Sequence, residues 1–140
     1  IPRPYFVMGH DLRLGQVITN LIENARSFSP PGGSVRIALQ RVRKPLTERI
    51  AIACIEITID DDGPGIPDHA LERIFERFYT DRPEQGFGQN SGLGLSISRQ
   101  IVEAHGGVIR ANNRVKEGVK TIAGARFTVW LPAMTAGGPR

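Results

Sequence analysis

The amino-acid sequence predicts a two-layer α/β sandwich, in which a mixed β-sheet packs on about three helices. Three observations predict it: one long segment has apolar residues at helical spacing, four segments follow strand patterns, and two shorter helical patterns lie between them. With 140 residues, 40% of them hydrophobic and 23% charged, the chain fits one globular domain.

The first predicted helix spans residues 11–28. Asp11 is its expected N-cap, and the Pro-Pro-Gly-Gly run at residues 30–33 ends it. One face is apolar and consists of Leu14, Val17, Ile18, Leu21, Ile22, Ala25 and Phe28. The other face is polar and carries Arg13, Gln16, Asn20, Glu23, Asn24 and Ser27.

The remaining elements follow from alternation, apolar runs and glycine stops. They are, in order, strands at residues 35–40 and 50–60, helices at 68–78 and 93–104, and strands at 108–113 and 125–131. The helix at 68–78 is expected to hold Leu71, Ile74, Phe75 and Phe78 on one side. We expect a single domain over residues 1–132 and a flexible tail at 133–140.

Residues 79–91 form a long polar segment between the second and third helices. Loops of this length inside a compact domain are usually lids or disordered segments. Phe87 is its sizeable apolar anchor, and one such side chain does not offset an ordering cost of roughly 1–2 kcal/mol per residue. The segment is therefore predicted to be a lid that is mobile without ligand.

Charge and cysteine content exclude several classes of protein. The net charge is +4, but the basic residues are spread along the chain without aromatic interleaving, so a nucleic-acid partner is not expected. Cys54 is the one cysteine, which rules out a disulfide within the chain and indicates a reducing, cytoplasmic setting. No apolar stretch reaches the length of a membrane span, and the amino terminus does not resemble a signal peptide.

Asn20 and Asn24 lie one helical turn apart, so their amides share a face beside Glu23. Because asparagine weakens a helix interior, two on one stripe need a reason. One interpretation is a solvated helix face. The other is an oxygen-lined site for a hard cation such as Mg²⁺, shared with phosphate oxygens.

Asp61 follows the predicted central strand and opens a turn that contains Gly63 and Gly65. Two glycines around a proline allow a tight turn that exposes backbone to a ligand. A carboxylate in this place can accept a hydrogen bond from an exocyclic amine such as that of adenine. The plain alternative is a strand-ending turn with surface acids.

Gly92 and Gly94 lead from the polar segment into the third helix. Glycine backbone at a helix N-terminus offers unpaired N–H groups that suit phosphate. A short Gly-x-Gly is weak evidence alone, but a long polar loop precedes this one and an amphipathic helix follows it.

Together these motifs resemble the N, G1, F and G2 boxes of bacterial sensor histidine kinases, in their usual order. The residues that carry the resemblance are Asn20-Leu-Ile-Glu-Asn24-Ala, Asp61-Asp-Gly-Pro-Gly65, Phe75-Glu-Arg-Phe78-Tyr, Gly92-Leu-Gly94-Leu, His105-Gly-Gly, and the closing run from Gly124 to Pro132. The resemblance covers essentially the whole chain. It implies the Bergerat-type ATP-binding fold that these kinases share with gyrase, Hsp90 and MutL.

The resemblance also implies roles for single residues. Asn24 would bind Mg²⁺ with Asn20 beside it, Asp61 would receive the adenine amine, and Phe28 would lie against the base. The implied ATP-binding residues are Asn20, Asn24, Phe28, Asp61, Gly63, Gly65, Ile66, Phe78, Ser91, Gly92, Leu93, Gly94 and Leu95. The implied catalytic residues are Asn20, Glu23 and Arg77, of which Arg77 would reach the terminal phosphate or the acceptor histidine.

The implied activity is donation of the γ-phosphate of Mg-ATP to a histidine on a separate dimerisation domain. Partners would be that domain of the same protein and, indirectly, a response regulator. The full-length protein would be a homodimeric, inner-membrane-anchored sensor with this domain in the cytoplasm, and the isolated domain a monomer. None of His10, His69 and His105 lies in a context that resembles a phosphoacceptor.

Two alternatives stay open at this point. One is an ATP-hydrolysing clamp of the gyrase, Hsp90 or MutL type, in which Glu23 activates water. The other is a nucleotide sensor without phosphotransfer. Two positions also depart from the kinase pattern: Ser27 stands where Lys or Arg is frequent, and Asn90 stands where the first glycine of the G2 box is usual.

Overall fold

The structure is a computed structural model that describes residues 7, 9–45, 51–79, 94–116, 118 and 121–133. The described part contains two α-helices, four strands and two single 3₁₀ turns. They are α1 (Asp11–Phe28), β1 (Arg36–Pro45), β2 (Ala51–Asp60), the 3₁₀ turns Asp68–Ala70 and Arg73–Phe75, α2 (Gly94–Ala104), β3 (Val108–Val115) and β4 (Ile122–Pro132). No helix among these residues is both long and apolar enough to cross a membrane.

The strands form one sheet in the order β1-β2-β4-β3, with helices packed on one face. This confirms the two-layer α/β sandwich. The sheet is corrected from mixed to antiparallel among the described strands. The reason is connectivity: short connections make β1 with β2, and β3 with β4, antiparallel neighbours, and the two pairs then meet through β2 and β4.

The core lies between the sheet and the helices. Alternate residues of β2 and β4 face it, among them Ile59, Phe127 and Val129, which are at most 2% exposed. From the helix side, Leu21 of α1 is fully buried. The Phe75 ring meets the Phe127 ring edge-on, with centroids 6.2 Å apart, so the 3₁₀ segment is anchored to the sheet.

Helix α1 begins at Asp11 as predicted, but its N-cap is His10 and not Asp11. The His10 backbone is extended, with φ −90° and ψ 111°, and its Nδ1 accepts a hydrogen bond from the Arg13 N–H at 3.4 Å. Asp11 is the first helical residue, where a carboxylate interacts favourably with the helix dipole. The residue before the expected cap therefore performs the capping role.

The helix predicted at residues 68–78 is wrong, since the structure has two 3₁₀ turns there. The extended backbone of Glu76 ends the second turn, and Phe78 has the left-handed φ of +65°. Ile74 and Phe75 are buried as expected, but Phe78 is 63% exposed because this backbone turns it away. The apolar spacing was therefore satisfied by separate turns rather than by a continuous helix.

The predicted lid lies outside the described residues except for Tyr79, whose N–H donates to the Glu76 carbonyl at 3.3 Å. At the other end, Ala133 was expected to open a flexible tail. It instead extends the sheet: its N–H donates to the Ala53 carbonyl at 2.9 Å, and it forms an antiparallel bridge with Val7. The rest of the predicted tail lies outside the described residues.

Asp62 sits at the end of the sheet in a cluster of ion pairs. Its carboxylate accepts from Arg36 at 2.7 Å, from Arg114 at 3.1 Å and from the Ser34 N–H at 2.9 Å. The hydrogen bond from Arg36, followed by that from Ser34, lowers the pKa of Asp62 to about 2 from the ordinary 3.8. Because the folded pKa is the lower one, these contacts stabilise the fold above roughly pH 4, and the effect is lost as the pH falls towards 2.

We predict that Arg36→Leu raises the pKa of Asp62 from about 2 towards 3.8, because the largest favourable contact is removed. An NMR titration of the Asp62 carboxyl group measures this shift. The control Arg110→Leu removes the same charge from another part of the sheet and should leave the pKa near 2. Equal shifts in the two variants would show that net charge, rather than this contact, holds the carboxyl group ionised.

Candidate functional site

The Asp61 carboxylate is buried at the end of β2, with 2% of the residue exposed. Its Oδ1 accepts two backbone hydrogen bonds, from Gly63 at 2.8 Å and from Ala125 at 3.1 Å. A buried carboxylate is costly unless it is hydrogen-bonded, and these two bonds offset part of that cost. Since the described bonds go to Oδ1, Oδ2 is the oxygen available to a hydrogen-bond donor on a ligand.

Gly63 and Gly65, in the turn after Asp61, both lie so close to neighbouring atoms that a side chain would clash with them. A Cβ on Gly63 would lie 2.6 Å from the Phe28 carbonyl oxygen, so the turn rests directly on the end of α1. Gly65 has φ +86°, and a Cβ there would lie 2.6 Å from Ile122 Cγ2. The structure therefore brings the Phe28 backbone and Gly63 together beside Asp61, and their nucleotide-binding roles stay predictions.

Two residues that the sequence reasoning missed hold this turn from the side of β3. The Asn113 amide pairs with both backbone groups of Ile66: Oδ1 accepts from the N–H, and Nδ2 donates to the carbonyl, each at 2.7 Å. Arg114 donates to the Asp61 carbonyl at 2.5 Å. One signal was available, since asparagine is depleted from strands and Asn112-Asn113 falls inside a predicted strand.

The α1 asparagines lie against the start of α2. The Asn20 Nδ2 donates to the Gly94 carbonyl and to the Ser98 hydroxyl, both at 3.3 Å. The donor side of this amide therefore faces α2, and its carbonyl oxygen is the group suited to a cation. Asn24 lies one turn further along α1 and is partly buried.

The first residues of α2 are described in part. The described part of α2 starts at Gly94, and Leu95 packs against the core. Ser91, Gly92 and Leu93 lie outside the described residues, as does Asn90. The structure thus places Gly94 beside Asn20 and leaves the rest of the predicted phosphate loop as a prediction.

The three remaining candidates lie at the surface. Glu23 pairs with Arg26 at 2.8 Å, and both side chains are more than half exposed, so the pair contributes little stability. Arg77 lies over the Phe78 ring at 5.2 Å. Among the described residues, no hydrogen bond, ion pair or ring contact joins Arg77 or Phe78 to the asparagines of α1.

Ser27 stands where the resembling kinases frequently have Lys or Arg, so this position has no basic side chain. Its hydroxyl donates to the Asn24 carbonyl at 2.8 Å, which binds it to the helix backbone. The neighbouring Arg26 turns to Glu23, as the angular offset along a helix leads one to expect.

A groove of about 550 Å³ lies on the other face of the sheet, between Thr58, Arg126 and Trp130. Its charged side chains are bonded to other residues of the sheet or the Asp61 turn: Arg126 binds Asp60, Glu56 accepts from Trp130, and Arg114 binds Asp62 although its Nε has no hydrogen bond. The candidate functional site is therefore the Asp61 turn with the α1–α2 contact, rather than this groove.

Comparison with known proteins identifies the family to which the chain belongs. The sequence model of a family described as histidine kinase-, DNA gyrase B-, and HSP90-like ATPase matches residues 9–135. The sensor protein ChvG of Agrobacterium fabrum is 58% identical over 132 residues, which are 92% of this chain and 20% of that protein. The histidine-protein kinase/phosphatase MprB of Mycolicibacterium vanbaalenii is 36% identical, over 92% of this chain and 24% of that protein.

Solved structures show the same relationship. A mycobacterial sensor histidine kinase MprB superposes with a TM-score of 0.77 at 32% identity, over 93% of this chain and 78% of that one. The catalytic domain of the histidine kinase ThkA superposes with a TM-score of 0.69 at 30% identity, over 90% and 70%. The chain spans about a fifth to a quarter of the length of the curated relatives. It therefore belongs to the histidine kinase-, DNA gyrase B- and HSP90-like ATPases, as the ATP-binding domain of a sensor histidine kinase.

Proposed function

We propose that the chain binds Mg-ATP across the Asp61 turn and the α1–α2 contact, and presents the γ-phosphate to a histidine on another domain of the same protein. The observation that carries the proposal is the buried Asp61 carboxylate, whose Oδ1 is held by two backbone N–H groups. This fixes the direction of Oδ2, which then accepts the exocyclic amine of adenine. Phe28 and the glycine backbone of the turn border the base.

The phosphate end of the site is built from the two helices. Asn20 bonds to Gly94, so the polar face of α1 and the N-terminus of α2 meet at one place. Helix N-termini favour phosphate oxygens, because their N–H groups are unpaired and the helix dipole is positive there. We propose that Gly92 and Leu93 extend this phosphate contact, with Ser91 beside them.

The amide oxygens of Asn20 and Asn24 fit a magnesium ion that arrives with the nucleotide. Within the described residues, no group of three or more His, Cys, Asp and Glu side chains is placed to hold a metal. Mg²⁺ commonly binds few protein oxygens and completes its shell with phosphates and water. When bound, it would neutralise charge on the phosphates, which is a main requirement of phosphoryl transfer.

The acceptor histidine is proposed to lie outside the chain. His10 caps α1, and its backbone N–H donates to Nε2 of His105 at 3.0 Å. The Nδ1 of His105 bonds to the Ile101 carbonyl at 2.7 Å. Two of the three histidines therefore have structural roles. The dimerisation domain of a homodimeric, membrane-anchored sensor would supply the acceptor, with this domain in the cytoplasm and a response regulator as the next partner.

In this proposal Arg77 approaches the terminal phosphate or the acceptor, and Phe78 lies beside the nucleotide, once the acceptor domain and the lid are in place. Glu23 would orient the acceptor imidazole. The hydrolysing clamp has less support, because the relatives are sensor kinases.

We predict that Asn24→Ala weakens Mg-dependent ATP binding by more than about tenfold, because a metal-binding oxygen is lost. Titration calorimetry with and without Mg²⁺ measures the effect, and circular dichroism checks the fold. Gln16→Ala, on the exposed polar side of the same helix, is the matched control and should bind as the native chain does. Native Mg-ATP affinity in the Asn24 variant would refute the assignment.

We predict that the native chain binds ATP at least about tenfold more tightly than GTP, because guanine has a carbonyl where adenine has its amine. Asp61→Asn keeps the Oδ1 contacts but replaces Oδ2 by a donor, so it should lose or reverse this preference. Asp62→Asn, which alters the adjacent carboxylate, should keep it. Competition binding with both nucleotides measures the ratio, and equal affinities of the native chain would contradict the role of Asp61.

We predict that the chain alone does not label itself with γ-labelled ATP, whereas the full-length protein forms acid-labile phosphohistidine. Gel autoradiography before and after acid treatment distinguishes the two. Stable phosphohistidine on the chain alone would place the acceptor among His10, His69 and His105. Steady phosphate release without labelling of the full-length protein would instead favour the hydrolysing clamp.

A further inference from the structure

One rung of the sheet holds both ends of the turn at residues 61–66. Asn113 of β3 and Ala125 of β4 are register partners. Ala125 holds the first residue of the turn: its N–H donates to Oδ1 of Asp61 at 3.1 Å, and its carbonyl accepts from the Asp61 N–H at 3.0 Å. Asn113 holds the last residue, through both backbone groups of Ile66.

The Asn113 side chain acts as a substitute strand partner. Its amide presents one acceptor and one donor side by side, as a peptide unit does, and both bonds to Ile66 measure 2.7 Å. Ile66 lies outside the named strands, 47 residues away in sequence. The last residue of the turn is therefore hydrogen-bonded as a strand residue would be, but to a side chain of β3 instead of to a strand backbone.

Gly65 makes this closure possible. Its backbone has φ +86°, and a Cβ at this position would lie 2.7 Å from Oδ1 of Asn113. A larger residue would push the turn away from the amide. The glycine therefore serves the contact with β3 as well as the approach of a ligand.

We propose that Asn113 is a positioning residue for base recognition, which sets the separation between the Asp61 carboxylate and the Gly65 backbone by tying Ile66 to the rung that holds Asp61. The inference rests on the proposed function, since it concerns the same nucleotide site. Asn113 need not touch the nucleotide. It acts through Ile66, and its loss leaves Asp61 bonded to Ala125 at one end of a turn whose other end is released.

The test uses Asn113→Ala in the 140-residue chain, with Asn112→Ala as the matched control. Asn112 is the adjacent asparagine of β3, is exposed, and pairs with Arg126 on the other face of the sheet. Binding of Mg-ADP and Mg-GDP is measured for each variant by calorimetry. We expect Asn113→Ala to weaken Mg-ADP binding about tenfold and to leave Mg-GDP binding unchanged, while Asn112→Ala alters neither.

The ratio of the two affinities separates positioning from a general structural effect. If Asn113→Ala weakens both nucleotides by the same factor, or neither, the inference is overturned. If the native chain itself binds ADP no better than GDP, the proposed base recognition fails, and that failure is seen before any variant is made.

A second variant covers the case in which Asn113→Ala does not fold. Asn113→Asp keeps the shape and the acceptor for the Ile66 N–H but sets an oxygen against the Ile66 carbonyl. It should lower the ADP-to-GDP affinity ratio, and an unchanged ratio would overturn the inference. Hydrogen exchange adds an independent measurement: the Ile66 amide should be protected in the native chain and exchange at least about tenfold faster in either variant.

Discussion

The pairing of β2 with β4 is the interaction on which the rest of the molecule depends. These strands belong to different hairpins, so their pairing joins the two halves of the sheet and leads the chain into the candidate site. Beyond the last paired residues, the same pairing continues as the Asp61 N–H donates to the Ala125 carbonyl. Gly124 permits this approach, since a Cβ there would lie 1.9 Å from the Asp61 carbonyl oxygen. The site is therefore an extension of the sheet.

A buried carboxylate at this position requires compensation, and the surroundings supply it. Backbone N–H groups hold Asp61, while the neighbouring Asp60 forms a two-point pair with Arg126 at 2.7 and 2.8 Å. Arg114 lies between the acids and bonds to Asp62, but its Nε is buried without a hydrogen bond and lies 3.9 Å from Asp60. Such a cluster favours one arrangement of the turn, because separating Asp60, which is 8% exposed, from its arginine partner would leave a poorly solvated charge.

The two ends of the proposed nucleotide site have separate structural supports. The sheet and its rung at Asn113 and Ala125 hold the end assigned to the base. The contact between α1 and α2, through Asn20, holds the end assigned to the phosphates. Because the supports differ, the proposed base selectivity and the proposed metal dependence should be separable. A change at Asn113 and a change at Asn24 should therefore affect different measurements.

The local sequence pattern was enough to predict those helices and strands that depend on the spacing of nearby residues. The apolar stripe of α1, the alternation in β4 and the order of the elements predicted a two-layer sandwich, since side chains three or four apart in a helix, or two apart in a strand, must share a face. The motif residues Asp61, Gly63 and Phe28 were named from the sequence, and the structure places the Phe28 backbone against Gly63, while their binding roles stay predictions. Family membership followed from the same motifs and was confirmed.

The tertiary structure decided the strand pairing and the long-range hydrogen bonds, which the local sequence pattern does not contain. The antiparallel order of the sheet depends on how two hairpins meet. Two 3₁₀ turns replace the predicted second helix, and there Phe75 packs against Phe127 of the sheet. The Asn113 clamp joins residues 47 apart, and the Ala125 bond to Asp61 spans 64. Spacing along the chain does not reveal contacts of such separation, because their geometry exists only after the sheet has formed.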